Sequence, residues 1–438
     1  MEIREVTVAD MLRARDARVE RQAQMLKKHG VPLISFTMNI AGPVKMDAWI
    51  ERAFREGAQR INAVLKGRRV RIAGECEICE YTGGEWLWAV EADEHRLKEW
   101  MRLIEEQDAL GRLFDIDVIN TDGMKISRNS ERKCLICGGP VRACARSRAH
   151  SADELFRRTH EIIEEYLRKQ HVRKIALTAE KSLLYEVATT PKPGLVDWEN
   201  SGAHSDMDRF TFIDSACELR EYFEICAAVG AENPDGDPAE LFERIRSTGQ
   251  QAEAQMLRAT MGVNTHKGAL FSLGLLCCAA GMGFREKADA LKLLSRAAKL
   301  AQASLKDFDS LTKENASTGG EVQYLAQGVT GVRGEAAKGF PSAAEIALPA
   351  LRQALLNGKE INEAGLAALM ALMANVSDSN VLRRGGERGQ EIVRREAAAE
   401  LTEDNLRRMD ERFIRENLSP GGCADLLAVT YFLHLIQK

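Results

Sequence analysis

The chain has 438 residues, 45% hydrophobic and 29% charged, a globular composition too long for one ordinary core and incompatible with wholesale disorder. Lys and Arg number 61 against 65 Asp and Glu, a formal net charge of -4, so no nucleic-acid partner is expected and any polyanion site must be a local basic cluster. No apolar run approaches the roughly 18 residues of a membrane span, no apolar segment follows Met1-Glu2-Ile3-Arg4-Glu5, and the ten Cys include the adjacent pair Cys277 and Cys278; these features read as reduced thiols in a cytoplasmic protein with no signal peptide and no membrane partner.

Residues 8–28 read as a polar helix and 31–38 as a buried strand that Gly42-Pro43 ends. Helical spacing returns over 46–65, where Trp49, Ala53, Phe54 and Ile61 recur on one side. Strands are expected at 69–81 and 85–90 around Gly83-Gly84, a helix at 94–106, a strand at 113–119, and a turn at Thr121-Asp122-Gly123 into 124–127. That order is a split βαβ, ferredoxin-like sheet with an added hairpin; a nucleotidyltransferase-like sheet with helices is the other expectation. Beyond Ser151 strand alternation nearly vanishes. Helices are expected at 153–169, 175–187, 210–229, 238–257, 267–280, 285–305, 342–356, 363–373, 389–400, 403–416 and 424–435. The organisation is therefore an α+β N-terminal domain, residues 1–170, followed by an all-α C-terminal helical domain, residues 171–438.

Two N-terminal motifs carry chemistry. In Gly111-Arg112-Leu113-Phe114-Asp115-Ile116-Asp117-Val118 the two carboxylates are two apart on a strand and share a face. Asp115 and Asp117 can then hold Mg²⁺ against phosphate oxygens, with Arg112 adding a guanidinium. Taken alone, an Asp-x-Asp pair is more often solvated surface. The second motif is Cys134-x2-Cys137-x6-Cys144-x5-His150. Three thiols and an imidazole can complete a tetrahedral Zn²⁺ site; buried thiols beside the basic loop of Arg142, Arg146 and Arg148 are the bland alternative.

Together with Val31-Pro32-Leu33-Ile34-Ser35-Phe36-Thr37 and Gly42-Pro43-Val44-Lys45, these motifs resemble holo-citrate lyase synthase over roughly residues 5–160. The resemblance implies that a serine of the apo acyl carrier (gamma) subunit of citrate lyase attacks the α-phosphate of triphosphoribosyl-dephospho-CoA and that pyrophosphate leaves. A metal at Asp115 and Asp117 suits such a displacement.

In the C-terminal half, Pro191-Lys192-Pro193-Gly194-Leu195-Val196-Asp197 interrupts the helices and runs into Asn200-Ser201-Gly202-Ala203-His204-Ser205-Asp206-Met207-Asp208. A rigid loop so rich in functional groups reads as a site: Lys192 for phosphate, Asp197, Asp206 and Asp208 for Mg²⁺ or a hydroxyl proton. Helix capping by Ser205 or Asp206 accounts for one or two of the polar groups. Gly262-Val263-Asn264-Thr265-His266-Lys267-Gly268 precedes an apolar helix, offering backbone N–H groups and a lysine to an anion without Walker spacing. Later come Gly331-Val332-Arg333-Gly334-Glu335, a loop from Asn375 to Glu387 containing Asp378, Asn380, Arg383 and Arg384 before Gly385-Gly386, and Ser419-Pro420-Gly421-Gly422. The two arginines beside a flexible Gly-Gly can fold over a triphosphate.

These loops resemble triphosphoribosyl-dephospho-CoA synthase over roughly residues 175–438, with departures at Trp198, Ser377 and Ser379. The resemblance implies ATP and 3'-dephospho-CoA as substrates, the 2'-hydroxyl of the latter displacing adenine at the ATP ribose C1'. Lys192, Lys267 and Arg333 are then the phosphate holders, with Asn200, Asn264, Glu335, Asp378, Asn380, Arg383 and Arg384 as further substrate contacts. His266, ahead of His204, protonates the departing base, and Asp197, Asp206 or Asp378 binds Mg²⁺ or takes the hydroxyl proton. The two resemblances describe successive steps for citrate lyase. The alternatives are the same chemistry on a malonate decarboxylase carrier, a zinc-stabilised nucleic-acid- or protein-binding module, and a kinase or ATPase.

Overall fold

The computed structural model describes residues 4–127, 132–286, 289–308, 311–312, 324–325, 328 and 330–437. They form two compact units, Met1–Arg168 and Lys169–Lys438.

The first unit opens with α1 (Val8–His29), where Thr7 and Asp10 satisfy each other's backbone N–H in a capping box. Then follow β1 (Leu33–Met38), α2 (Ala48–Gly67), β2 (Ile72–Glu80), β3 (Gly83–Val90), α3 (Glu94–Glu106) and β4 (Phe114–Ile119). All pairings are antiparallel and the sheet order is β2-β3-β1-β4. β1 is central and covered on both faces, which is why its sequence is an apolar run with little alternation. On one face Phe36 stacks on Phe54 of α2 at 5.0 Å and meets Phe114 edge-on at 5.3 Å. On the other, Leu33 and Leu87 pack against Met25 of α1. The added hairpin expected after β4 reduces to a single bridge between Ile119 and Lys125. A short helix, α4 (Val141–Ser147), lies inside the cysteine motif, where none is expected from periodicity.

The division between the units falls within α5 (Ala152–Ala188). The sequence reading has two helices here; they are one, because no Gly or Pro interrupts the segment. Next come α6 (Arg209–Glu218) and α7 (Arg220–Glu232), which replace one expected helix by two meeting at Leu219. They are followed by α8 (Pro238–Ala259), α9 (Lys267–Met282) and α10 (Ala290–Leu305). Residues 287 and 288 of the helix expected at 285–305 lie outside the described residues. After α11 (Gly331–Ala337), a π-helical turn (Ser342–Ala347) runs into α12 (Leu348–Leu356). The chain closes with α13 (Ile361–Asn375), α14 (Ser379–Ala397), α15 (Glu403–Arg415) and α16 (Gly421–Leu435).

Two expected loops are helical. Gly331–Glu335 lies in α11, and Asn380 to Gly385 form the first turns of α14. Asp378 causes the second difference: its carboxylate accepts the N–H groups of Asn380 and Val381 and starts the helix early. Gly385-Gly386 is therefore a kink inside a helix, with Gly386 at φ 63°, rather than a flexible flap. The core of the unit is built on α9 and α16, which are apolar all round and almost wholly buried. Helix α9 meets α7 at backbone distance, since a Cβ on Gly230 would lie 2.0 Å from the Cys278 carbonyl oxygen and one on Gly281 would lie 2.1 Å from that of Ala227. Among the described residues no single helix is long and apolar enough to cross a membrane.

Candidate functional site

The second unit holds a cavity of about 1360 Å³ lined from α8, α9, α11, α14 and α16. One wall is cationic. Arg246 of α8 and Arg333 of α11 share the Asp307 carboxylate at 2.9 and 3.0 Å, and Arg246 also reaches Glu243 at 3.4 Å. Lys267 is paired with Glu253 at 2.5 Å, and Lys338 also lines the cavity. Asn264 accepts the Lys267 N–H at 3.3 Å, and Glu335 accepts the Ser342 N–H at 2.7 Å, so both shape the wall that carries them.

His266, 3% exposed, lines the cavity at the start of α9. Its Nδ1 lies 2.7 Å from the Ser215 hydroxyl, which itself accepts from Thr265 at 2.7 Å. Its Nε2 is buried with no hydrogen-bond partner, and Phe212 packs edge-on against the ring. Burial, assisted by the charge of Lys192, pushes its pKa down to about 3. At that value the imidazole carries no charge near neutral pH, against the expectation that it protonates the departing base.

Beside it lies an acidic pole of Glu186, Asp378 and Asp425. Burial raises all three pKa values, and Glu186 and Asp378 together raise that of Asp425 further. Gly268 explains why a glycine stands at that point of the motif: a Cβ there would lie 2.1 Å from an Asp425 carboxylate oxygen. Asp378 also accepts the Cys423 N–H at 2.8 Å, tying α14 to α16.

At the cavity mouth, Arg384 donates to the Ala203 carbonyl at 2.9 Å and to Asn417 at 2.8 Å. Burial, with the Arg384 guanidinium second, holds His204 below the ordinary histidine pKa, while His204 Nε2 meets the Ser419 hydroxyl at 2.9 Å. Asp206 lies 3.8 Å from His204, and Arg383 and Asn380 complete this rim.

Four nominated residues, Lys192, Asp197, Asn200 and Asp208, do not line the cavity. Lys192 is 1% exposed, with its ammonium on the Glu186 carboxylate and on the Glu186 carbonyl at 2.7 Å, so it neutralises the acidic pole from behind. Asp197 accepts the N–H groups of Lys192, Glu199 and Asn200 and folds the loop. Asn200 bonds Asp410 at 2.8 Å and the Gly202 N–H at 2.6 Å. The helix cap in this region is Asp208, through a capping box with Thr211, rather than Ser205 or Asp206. Sequence reasoning missed Glu186, Ser215, Arg246 and Asp425. Asp425 alone leaves a signal, an acid set into an otherwise apolar helix; the others sit in helices with no motif around them.

In the first unit, Asp115 pairs with Thr37 and Asp117 with Ser35 in register, so the two carboxylates do share a face. Each already has a cation: Arg132 on Asp115 at 2.9 Å, Lys125 on Asp117 at 2.5 Å. Arg132 also bonds the buried Glu105 at 2.6 Å. Arg112, Arg132, Lys133 and Arg148 line a pocket of about 930 Å³ whose apolar lining includes Leu135 and Leu155. Arg112 donates to the carbonyls of Lys133 and Cys134 at 2.8 and 3.0 Å. The ligand atoms of Cys134, Cys137, Cys144 and His150 all lie within 4.8 Å of one another. Hydrogen bonding, chiefly with His150, draws the Cys137 pKa down to about 6, while Cys137 pushes that of Cys144 up to about 11.

Residues 6–166 match the family model of CitX, apo-citrate lyase phosphoribosyl-dephospho-CoA transferase, and residues 172–438 that of CitG, ATP:dephospho-CoA triphosphoribosyl transferase. A relative from Haemophilus influenzae, named Protein CitXG, is 32% identical over 98% of this chain and 96% of its own. One of the same name from Leuconostoc mesenteroides is 30% identical over 98% and 97%. A 2-(5''-triphosphoribosyl)-3'-dephosphocoenzyme-A synthase from Pectobacterium atrosepticum is 40% identical over 62% of this chain and 92% of its own. A crystal structure titled as a putative triphosphoribosyl-dephospho-CoA synthase from Archaeoglobus fulgidus aligns with 49% of this chain and 99% of its own at 22% identity and a TM-score of 0.30, too weak a likeness to carry an argument.

Proposed function

The chain belongs to the CitXG family, which joins an apo-citrate lyase phosphoribosyl-dephospho-CoA transferase to an ATP:dephospho-CoA triphosphoribosyl transferase, and from that premise we propose how its two pockets divide the work. The protein is a bifunctional transferase that makes and attaches the prosthetic group of citrate lyase. ATP and 3'-dephospho-CoA yield 2'-(5''-triphosphoribosyl)-3'-dephospho-CoA and adenine. A serine of the apo acyl carrier then takes the phosphoribosyl-dephospho-CoA, and pyrophosphate leaves.

In our reading residues 171–438 perform the first step in the larger cavity. The cationic wall of Arg246, Lys267, Arg333 and Lys338 holds the triphosphate, and Arg383 and Arg384 close the rim. The new bond forms between the 2'-oxygen and ribose C1' as the C1'–N bond to adenine breaks, so the base departs with the electron pair and needs a hydrogen-bond donor. Thr265 donates to Ser215; with Ser215 assigned as the donor to Nδ1, the hydrogen of His266 sits on the unpartnered Nε2. That N–H meets a ring nitrogen of the departing adenine, which leaves hydrogen-bonded to it and then takes its proton from water. The acidic pole of Glu186, Asp378 and Asp425 would suit a divalent cation, whose charge would offset the burial that raises all three proton affinities and the repulsion that Asp425 feels from the other two. Mg²⁺ bound there would help orient the triphosphate, and the same pole accepts the 2'-hydroxyl proton.

Residues 1–170 perform the transfer. Arg112, Arg132, Lys133 and Arg148 receive the phosphates, and Arg132 links that pocket to Asp115. Asp115 and Asp117 would hold Mg²⁺, with Arg132 and Lys125 turning from them to phosphate oxygens. The antiparallel order β2-β3-β1-β4 favours a ferredoxin-like reading of this sheet. A cytoplasmic location, where ATP and dephospho-CoA are at hand, fits this reading.

The observation that carries the division is that a buried histidine with an unpartnered Nε2 and the cations Arg246, Lys267, Arg333 and Lys338 line one cavity. The test is product analysis by mass spectrometry after incubation with ATP, Mg²⁺ and dephospho-CoA, then with apo-carrier. Adenine and the triphosphoribosyl product are expected, whereas ADP and phosphate would sink the reading. Asp115→Asn and Asp117→Asn should each abolish carrier loading and leave adenine release intact. Loading at the wild-type rate in either removes that residue from the metal site.

A further inference from the structure

We propose that Cys134, Cys137, Cys144 and His150 bind one structural Zn²⁺, which fixes the loop that carries the phosphate-binding arginines of the smaller pocket. The transfer chemistry does not use these four residues, yet the fold gathers them from three pieces of local structure. The first two come from a tight loop. Lys133 pairs with Pro140, Cys134 donates its N–H to the Gly139 carbonyl at 2.7 Å, and Gly138 donates to the Cys134 carbonyl at 3.1 Å. Within that loop the Ile136 N–H points at the Cys134 sulfur at 3.4 Å, the kind of donor that stabilises a metal-bound thiolate. Helix α4 supplies Cys144, and Arg148 in the left-handed conformation (φ 49°) turns the chain back to bring in His150.

Every pair among the four ligand atoms is within 4.8 Å. A tetrahedral zinc with bonds of about 2.3 Å to sulfur spaces its thiolates about 3.8 Å apart, so modest side-chain rotation closes the site. The Cys137 and Cys144 sulfurs are 3.3 Å apart, and His150 Nε2 is buried without a hydrogen-bond partner. A disulfide between Cys137 and Cys144 would use two of the four groups and leave the convergence of Cys134 and His150 without a purpose. Binding sends the thiol protons to solvent, and three thiolates, a neutral imidazole and Zn²⁺ carry a net charge of -1. The segment supplies the opposite charge from Arg132, Lys133, Arg142, Arg146 and Arg148. Four protein donors leave no open coordination position, which makes the ion structural rather than catalytic.

The consequence for the pocket is geometric. Arg112 is held by the carbonyls of Lys133 and Cys134, the residues that lead into the first two ligands. Arg132, just before them, reaches Glu105 and Asp115. Tying Cys134 and Cys137 to Cys144 and His150 fixes both arginines relative to β4.

The test uses the full chain purified under reducing conditions. Elemental analysis should find one zinc per chain, and replacement by Co²⁺ should give the intense visible absorption of a tetrahedral cobalt–thiolate centre. Cys137→Ser combined with Cys144→Ser should lose both signals while adenine release, which depends on the other unit, continues and reports that the second unit is folded. Chelation of the wild-type protein should abolish carrier loading, and added Zn²⁺ should restore it. Absence of zinc together with absence of a cobalt spectrum, an intact Cys137–Cys144 disulfide, or wild-type zinc content in the double variant each overturns the site. Full carrier loading by zinc-free protein overturns its positioning role. Stoichiometry and spectrum do not depend on the assignment of the transfer step, so the two can fail separately.

Discussion

His266 shows how burial chooses among chemistries that a residue type leaves open. A histidine before a helix offers an acid, a base or a cap; with its pKa near 3 it offers only a neutral N–H and a lone pair. His266→Ala should lower adenine release per folded molecule by about 10²-fold, the scale for losing one oriented donor at a developing charge. Ser215→Ala keeps the ring but frees its tautomer, so kcat should fall while the KM for ATP changes little. Because the ring stays neutral well below pH 6, neither variant should remove a limb from the pH–rate profile; disappearance of a limb near pH 6–7 would mean that His266 titrates in the reaction. The stability effect has a definite sign. An unfolded chain binds a proton at this histidine near pH 6.5 and the folded one refuses it until about pH 3, so its contribution to stability is complete above pH 6.5 and falls with acidification. Thermal melts of wild type and His266→Ala between pH 7 and 5 measure this directly. The neighbouring expectation for Lys192 fails for a related reason: a lysine in a Pro-Lys-Pro loop looks exposed in sequence, but the adjacent Glu186 carboxylate pulls it inside.

At the scale of elements, periodicity located most helices and missed their joints. Periodicity counts apolar repeats, whereas joints depend on single groups: Leu219 between α6 and α7, the Asp378 cap that starts α14, the uninterrupted run that fuses α5. The contact between α7 and α9 gives a sharp test of element packing. Gly230 lets the helices touch at the Cys278 carbonyl, a backbone group that cannot rotate away. Gly230→Ala should cost about 1–3 kcal/mol by overpacking. At roughly 2–4 °C per kcal/mol for a unit of this size, the melting temperature should drop by several degrees while helical content is retained. An unchanged melting temperature would show that the two helices are not in backbone contact.

On the scale of the whole molecule, the units carry different fold classes, and the boundary within α5 follows its buried residues. Ile162, Ile163 and Leu167 belong to the first unit; Val172, Ile175 and Ala176 belong to the second. Residues 169–438 alone should release adenine, and residues 1–168 alone should load apo-carrier when given the preformed intermediate. A fragment beginning at 175 discards Val172, 6% exposed, and should melt lower than one beginning at 169. Folded fragments with neither activity would show that the two reactions need the intact chain.

By itself the sequence determined what is local or repeated: the sheet-bearing first unit and helical second, the shared face of Asp115 and Asp117, the cysteine–histidine spacing, and the polar loops that carry the family resemblance. Each follows from residue type at short spacing, which backbone periodicity converts directly into position. Tertiary structure alone decided which groups from distant segments meet. Glu186, Ser215, Arg246 and Asp425 became site residues because four separate helices converge on one cavity. It also decided which charges are spent inside the protein, since Lys192 and Asp197 hold a loop in place of substrate. Burial and pairing energies depend on neighbours tens to hundreds of residues away, and no local pattern encodes them.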